Sequence, residues 1–239
     1  LQQQCGVPHM TFLPFRFQLL VLARLFAFFP EPHDRNLELL RRWFWRTSIG
    51  ADELGINGSQ TDLRDMAARI VPGEESESVQ RLLSVFRATR SDSKVILPAM
   101  WNRRPVDPDT GEPMTVEALA AQLEGETTPR AVAADLVPPT ALGADAFVAA
   151  NKVISVLDRR QLLPLLDDDF DLDSLLLNRE ILSLLQGNRY DEAIELRAEV
   201  LRHYLIDFIK ARTACGHEDS PPLDDWIFDG GDVETLKGA

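Results

Sequence analysis

Four stretches of the chain carry apolar side chains at the spacing of a helix. They cover residues 19–29, 37–44, 63–70 and 79–86, and the first of them is almost continuously apolar. Residues three and four positions apart share one face of a helix, and an apolar face must pack against another part of the protein. The first hundred residues therefore predict a lobe of four helices.

The second half of the chain has weaker and more varied patterns. Residues 102–115 are rich in proline and glycine, which favours turns, and a short helix is predicted over 116–123. Residues 131–156 combine β-leaning segments at both ends with an alanine-rich helical segment. The strongest pattern is the helical period over residues 191–212, which predicts a long last helix.

Together these patterns predict a mainly α fold. A helical domain over residues 1–104 is followed by a turn-rich linker and short helix over 105–130. A second, mostly helical lobe over 131–213 contains at most a small β element, and an acidic tail covers 214–239.

The composition is that of an ordinary globular protein, with 45% hydrophobic and 26% charged residues. The apolar run at 19–29 is shorter than the roughly 20 residues that a membrane span needs, so we expect a buried helix and no membrane partner. Cys5 and Cys215 are the only cysteines, which excludes a disulfide-rich secreted scaffold and favours a cytoplasmic location. The chain begins with Leu1, and we expect it to be a segment of a longer protein.

Charge is unevenly distributed along a chain whose formal net charge is −13. Residues 1–104 contain 14 basic and 11 acidic side chains, whereas residues 105–239 contain 11 basic and 27 acidic ones. Because Lys and Arg supply most of the affinity for nucleic acids, the second half should repel DNA. Arg41, Arg42 and Arg46 form a small basic group and are the candidate nucleic-acid contacts, and ion pairing on a helix face is the alternative.

Trp43, Phe44 and Trp45 are consecutive aromatic residues in the second apolar stretch. Successive side chains on a helix are about 100° apart, so the three rings spread apolar surface over more than half of its circumference. Such a helix needs cover on at least two sides. The three residues are therefore candidates for packing or for contact with a partner.

Four acidic residues have the spacing of an EF-hand calcium loop. Asp169, Asp171 and Asp173 occupy positions 1, 3 and 5, and Glu180 occupies position 12. Position 6 of such a loop is a glycine in a left-handed turn, but Ser174 stands there. The alternative is that these carboxylates cap helices or face solvent, so they are metal-ligand candidates without an assigned metal.

No catalytic residue is predicted from the residues alone. The chain has four histidines, and none lies in an acid-rich or glycine-flanked turn that would expose it as a base: His9, His33, His203 and His217. No glycine-rich loop followed by lysine is available to bind a phosphate.

Two sequence segments resemble the helical region of GmrSD-type restriction proteins, namely Leu13–Leu19 (LPFRFQL) and Leu40–Ser48 (LRRWFWRTS). Those are large bacterial anti-phage proteins with an N-terminal ParB-like DGQQR nucleotide-hydrolysing domain and often a C-terminal HNH nuclease domain. Asp107–Pro113 (DPDTGEP) is similar to the turn that precedes their nuclease domain, and Tyr190–Arg197 (YDEAIELR) is similar to the start of their closing helix.

The chain departs from that family at its catalytic motifs. The DGQQR motif would lie upstream and is absent from the sequence. The HHIFP string of the HNH domain falls on residues 134–138, where Ala134 and Asp135 replace both histidines, while Pro138 and, further on, Asn151 are retained. Asp135 and Asn151 are thus metal-ligand candidates, but an aspartate is a weak base at neutral pH.

The resemblance implies a degenerate HNH-like, non-catalytic C-terminal region that positions or regulates an upstream nucleotide-dependent nuclease domain. Its partners would be that domain or other defence-system subunits, with DNA as an indirect partner. No cofactor is expected in this segment, and a nucleotide with Mg²⁺ or another divalent metal would belong to the full-length protein. Two alternatives are an active metal-dependent DNA endonuclease with a non-histidine base, and an acidic protein-interaction or DNA-mimic module.

Overall fold

The computed structural model of the protein describes residues 1–28, 30–32, 34–50, 79, 82–83, 86–156, 162–167 and 169–213. The described part is mainly helical and contains one two-stranded antiparallel sheet, which confirms the predicted fold class. The apolar stretch at 63–70, most of the stretch at 79–86 and the acidic tail over 214–239 lie outside the described residues.

The described elements are nine α-helices and two strands. In chain order the helices are α1 (Gln2–Cys5), α2 (Arg16–Phe28), α3 (Asp34–Gly50), α4 (Ser91–Trp101), α5 (Val116–Gln122), α6 (Pro139–Leu142), α7 (Leu162–Leu165), α8 (Arg179–Gln186) and α9 (Tyr190–Thr213). The strands are β1 (Ala133–Asp135) and β2 (Lys152–Ile154). Short 3₁₀ helices cover Met10–Phe12, Pro129–Val132, Gly143–Phe147, Ala149–Asn151 and Leu172–Leu175.

The chain divides into two compact units. The first contains Leu1–Pro14 and Glu75–Phe208, and the second contains Phe15–Glu74 and Ile209–Ala239. The boundary that the turn-rich segment predicts near residue 105 lies inside the first unit. The division between the units instead passes through α9, whose last residues belong to the second unit.

Local capping explains where two helices of the first unit, α5 and α8, begin. The Thr115 hydroxyl accepts a hydrogen bond from the Ala118 amide at 3.1 Å, and the Asn178 side chain accepts one from the Ile181 amide at 2.8 Å. Both bonds satisfy amides that have no partner within the helix. Helices α5 and α9 confirm the predictions over 116–123 and 191–212 to within two residues at each end.

The core of the first unit surrounds the small sheet. Side chains of β1, β2, α8 and α9 form one buried apolar cluster with Val137, which follows β1; the cluster includes Val153, Leu182 and Ile194. Fully burying a side chain of this size stabilises a fold by about 1.5–3 kcal/mol. The cluster therefore fixes the sheet against the two last helices of the described chain.

The N-terminal segment is attached to this unit through Gly6. The Asn102 side-chain amide donates to the Gly6 carbonyl at 3.1 Å and to the Pro98 carbonyl at 2.7 Å. Gly6 has a φ of +69°, and a Cβ placed on it would lie 2.5 Å from the Asn102 side chain. A glycine is required here both by the backbone conformation and by the close approach of the asparagine.

A buried glutamine joins α2 to α3 in the second unit. The Gln18 Nε2 donates to the Phe44 carbonyl at 3.2 Å and to the Thr47 and Ser48 hydroxyls at 2.9 Å each. Gln18 is completely buried, so these contacts fix how the two helices pack. In the described chain, no helix, α2 included, has the length and apolarity that a membrane crossing requires.

Candidate functional site

The two strands bring together the positions at which the resemblance places nuclease residues. β1 and β2 are antiparallel, with Ala133 opposite Ile154, Ala134 opposite Val153 and Asp135 opposite Lys152. Asp135 is at the end of β1, and Asn151 immediately precedes β2. We call the two strands and their connection, residues 133–154, the hairpin.

The side chain of Asn151 is hydrogen-bonded to the backbone of the segment that connects the two strands. Its Oδ1 accepts from the Val137 amide at 2.8 Å, and its Nδ2 donates to the carbonyls of Val137 at 3.0 Å and Ala146 at 3.2 Å. Asn151 is fully buried, as are Val137 and Ala146. Both donors and one acceptor site of the amide are thus directed at the protein backbone, which gives Asn151 a structural role in the loop.

Asp135 is paired across the hairpin with Lys152. The Lys152 ammonium donates to the Asp135 carboxylate, and it also lies 5.7 Å from the centre of the Phe86 ring. Only 8% of Lys152 is exposed. A buried ammonium that loses its carboxylate becomes an uncompensated charge, so a metal ion could take Asp135 only at a considerable cost. The pair therefore favours a structural role for Asp135 as well.

Ala134 is the middle residue of β1. It occupies one of the two positions where the family named above has histidine, and the residue is only 1% exposed. A methyl group neither accepts a proton nor binds a metal. This position is therefore part of the apolar core.

Arg197 of α9 supports the hairpin from the other side. Its guanidinium is fully buried and donates to the Ala150 carbonyl, next to Asn151, and to the Leu175 carbonyl at 3.1 Å. No described carboxylate pairs with it, and its Nε has no hydrogen-bond partner among the described residues. Burial lowers the pKa of the Arg197 guanidinium to about 9. One side chain therefore joins the hairpin to the acidic segment at residues 169–180.

The acidic candidates of that segment do not act together. The Asp171 side chain caps the 3₁₀ helix Leu172–Leu175 by accepting from the Ser174 amide, whereas Asp173 pairs with Arg103. Glu180 lies in the first turn of α8. Among the described residues, no group of three or more His, Cys, Asp or Glu side chains is placed to hold a metal ion. The structure therefore does not bring Asp169, Asp171, Asp173 and Glu180 together as an EF-hand would.

The aromatic residues of α3 lie inside the chain. Trp43, Phe44 and Trp45 are each at most 2% exposed, and the rings of Phe44 and Trp45 meet edge to face at 5.3 Å. Of the two predicted roles, packing or contact with a partner, this burial favours packing, because the rings are already covered by their own chain. Their role is packing.

The basic residues of α3 are engaged within the second unit. Arg42 is mostly buried and pairs with Glu38, and the Arg46 Nε donates to the Thr213 carbonyl at 2.9 Å. A hydrogen bond from Arg35, together with the charge of Arg42, lowers the pKa of the Glu38 carboxyl. These contacts favour the ion-pairing alternative for Arg42 and Arg46, while Arg41 is half-buried.

Arg197 and Gln18 were not among the predicted site residues, although their positions in the sequence indicate burial. Arg197 lies three residues after Ile194 and four before Leu201, so it occupies the apolar stripe of α9. Gln18 adjoins the apolar run at 19–29. A polar residue in such a position is buried only if it finds partners, which indicates a structural contact.

Comparisons of the chain with protein-family models, with curated proteins and with solved structures found no match.

Proposed function

We propose that the chain is a non-catalytic region of a GmrSD-like restriction protein, and that it positions or regulates an upstream nucleotide-dependent nuclease domain. The fold that supports this proposal is a helical scaffold around a small two-stranded hairpin, which contains the positions at which the resemblance places the nuclease residues. The resemblance of Leu13–Leu19 and Leu40–Ser48 to that family is the reason for the choice of system.

The observation that carries the proposal is that the side chain of Asn151 is hydrogen-bonded to the loop backbone. An HNH-type centre needs a base that removes a proton from water and a metal ion that stabilises the leaving oxygen. In this hairpin the Asn151 amide bonds to the loop backbone, and the Asp135 carboxylate bonds to Lys152. The polar groups at these two positions thus hold the hairpin in its shape.

Charge supports the same proposal. The second half of the chain is strongly acidic, which opposes the approach of a DNA backbone to the hairpin. Arg42 and Arg46 in the first half are engaged in contacts within the chain. The proposed role is therefore one of contact with another protein domain, with DNA bound elsewhere in the full-length protein.

Two experiments test the proposal. The first reads the complete reading frame that encodes the chain, in which a DGQQR motif is expected upstream; a complete frame without one would contradict the assignment to this restriction system. The second incubates the purified chain with supercoiled plasmid and Mg²⁺ or Mn²⁺. We expect no metal-dependent nicking, and nicking that is lost in Asp135→Ala would instead establish the alternative of an active endonuclease with a non-histidine base.

A further inference from the structure

Helix α2 has an exposed apolar face in the second unit. Four of its exposed residues lie on the side of the helix away from the buried Gln18, namely Leu19, Leu20, Ala23 and Phe26. We call these four residues the α2 face. Leu20 is 72% exposed, and apolar side chains grouped on an exposed surface mark a site of interaction.

The charges of α2 are all basic. Arg16 and Arg24 are exposed at the border of the α2 face, and neither has an ion-pair partner among the described residues. The helix contains no Asp or Glu. At 1.5 Å per residue the two arginines are about 12 Å apart along the axis. An occupant that complements this surface has an apolar centre with a negative charge at each end.

A segment in the acidic tail of the same chain has this composition. Residues 224–229 have the sequence DDWIFD, in which three apolar side chains lie between Asp225 and Asp229. In an extended segment, at 3.3 Å per residue, these two carboxylates would be about 13 Å apart, which matches the spacing of the arginines. A second copy of α2 fits less well, because two helices with only basic charges repel each other.

The last described residue lies at α3, the helix on which α2 packs. The Thr213 carbonyl accepts from the Arg46 Nε, and the next residue of α3, Thr47, bonds to Gln18 of α2. The roughly 13 residues from Thr213 to Trp226 span about 20 Å as a flexible chain and about 45 Å when extended. Helix α2 is only about 20 Å long, so the segment can reach it, and the tether gives an effective concentration of about 1 mM.

We propose that residues 224–229 dock on the α2 face, with their apolar side chains against the helix and an aspartate at each end beside Arg16 and Arg24. The contact is independent of the function proposed above, since it uses neither Asp135 nor Asn151. The docked segment would compete with any other domain that binds α2, and it would thereby regulate access to this surface.

Docking is tested by acrylamide quenching of Trp226 in the whole chain, taken as the difference between wild type and Trp226→Phe. A contact with a Kd of about 0.2 mM is mostly closed at this effective concentration, so quenching should be about five-fold weaker than in a free peptide of residues 222–231. Leu20→Glu places a charge in the α2 face and should abolish the shielding. Met10→Glu is the matched control, because Met10 is 65% exposed and lies outside α2, and it should leave the shielding unchanged. An unshielded Trp226 in the wild type, or shielding that persists in Leu20→Glu, would overturn the proposal.

A charge exchange tests the placement of the two ends. Arg16→Glu combined with Arg24→Glu should raise the quenching about two-fold, as expected for exposed ion pairs. Adding Asp225→Arg and Asp229→Arg should restore the shielding in either direction of the segment. Quenching that the added arginines leave unchanged would contradict the placement of the aspartates beside Arg16 and Arg24.

Two measurements distinguish the chain's own segment from other occupants. The shielding should be constant over about a hundred-fold range of protein concentration, since a tethered contact does not depend on it. Shielding that increases with concentration would assign the contact to a second copy and overturn the proposal. Vesicles of phosphatidylglycerol should not bind the wild type, and binding that is lost in Leu20→Glu would assign the α2 face to a lipid surface instead.

Discussion

Replacement of Asn151 by aspartate tests whether this amide holds the hairpin loop. The substitution keeps an oxygen that can accept from the Val137 amide. It replaces the nitrogen that donates to the carbonyls of Val137 and Ala146 with a second oxygen. A carboxylate in that place would face two carbonyl oxygens without a hydrogen between them, so the variant should be less stable than the wild type.

The magnitude follows from the bonds that are lost. Each buried carbonyl left without a donor costs about 1–3 kcal/mol, so Asn151→Asp should lower the free energy of unfolding by about 2–6 kcal/mol at neutral pH. A protonated carboxyl restores one donor. The folded-state pKa of the introduced aspartate is therefore raised above its unfolded value of about 3.9.

The sign of the pH dependence follows from this direction. A raised folded-state pKa means that the stabilising contribution of the protonated carboxyl is complete below about pH 3.9 and is lost as the pH rises through the folded-state pKa. If that pKa lies about 2–3 units higher, the loss of stability should grow by about 1–2 kcal/mol between about pH 5.5 and pH 8. Both conditions lie above the isoelectric point of about 4.7.

The assay is urea unfolding of wild type and variant, followed by circular dichroism, with hydrogen exchange of the peptide that contains the Val137 amide as a local measure. Asn178→Asp is the matched control, because Asn178 is exposed and its side chain only accepts, from the Ile181 amide. Aspartate is an equally good cap at a helix N-terminus, so the control should change stability by less than about 0.5 kcal/mol. Equal stabilities of the two variants at both pH values would refute the role given to Asn151.

Three further predictions concern other buried contacts, each measured by urea unfolding. Gly6→Ala should lower the free energy of unfolding clearly more than Gly125→Ala does. Both residues have positive φ values, but of the two only Gly6 lies against a side chain. Between pH 8 and pH 10 the free energy of unfolding of the wild type should rise by about 1 kcal/mol relative to that of Arg197→Met. The reason is that the folded-state pKa of the Arg197 guanidinium, about 9, lies below its unfolded value, so stability rises with pH above it. A constant difference between the two proteins would contradict this. Gln18→Glu should be destabilised by about 2–4 kcal/mol and by more than Gln18→Leu, since it places a buried, unpaired charge beside the Phe44 carbonyl and leucine does not.

The helices could be predicted because their signals are local. Val116–Gln122 follows a capping threonine, and Tyr190–Thr213 has an apolar period with acidic residues in its first turn and basic residues in its last. The small β element was also predicted, and the sheet is indeed limited to three residues in each strand. These features depend on residues within a few positions of each other.

The contacts around the hairpin could not be predicted in the same way. Arg197 is 47 residues from Ala150 and 22 residues from Leu175, and Asp135 is 17 residues from Lys152. No local spacing specifies which backbone carbonyl a buried arginine will reach, because that depends on how the elements pack. The covering of Trp43 and Trp45 likewise depends on packing, and from the sequence their surface was open to a partner as well.

The most direct test of a structural hairpin is titration of the chain with Mn²⁺, observed by NMR. A paramagnetic ion broadens the signals of nuclei within its reach, so a metal held by Asp135 and Asn151 would broaden the Asn151 side-chain amide first. If the amide bonds to the loop backbone and Asp135 bonds to Lys152, both Asn151 amide signals should stay sharp and exchange slowly with solvent. Selective broadening of those signals at low Mn²⁺ concentration, lost in Asp135→Ala, would contradict the account and indicate a metal-dependent site.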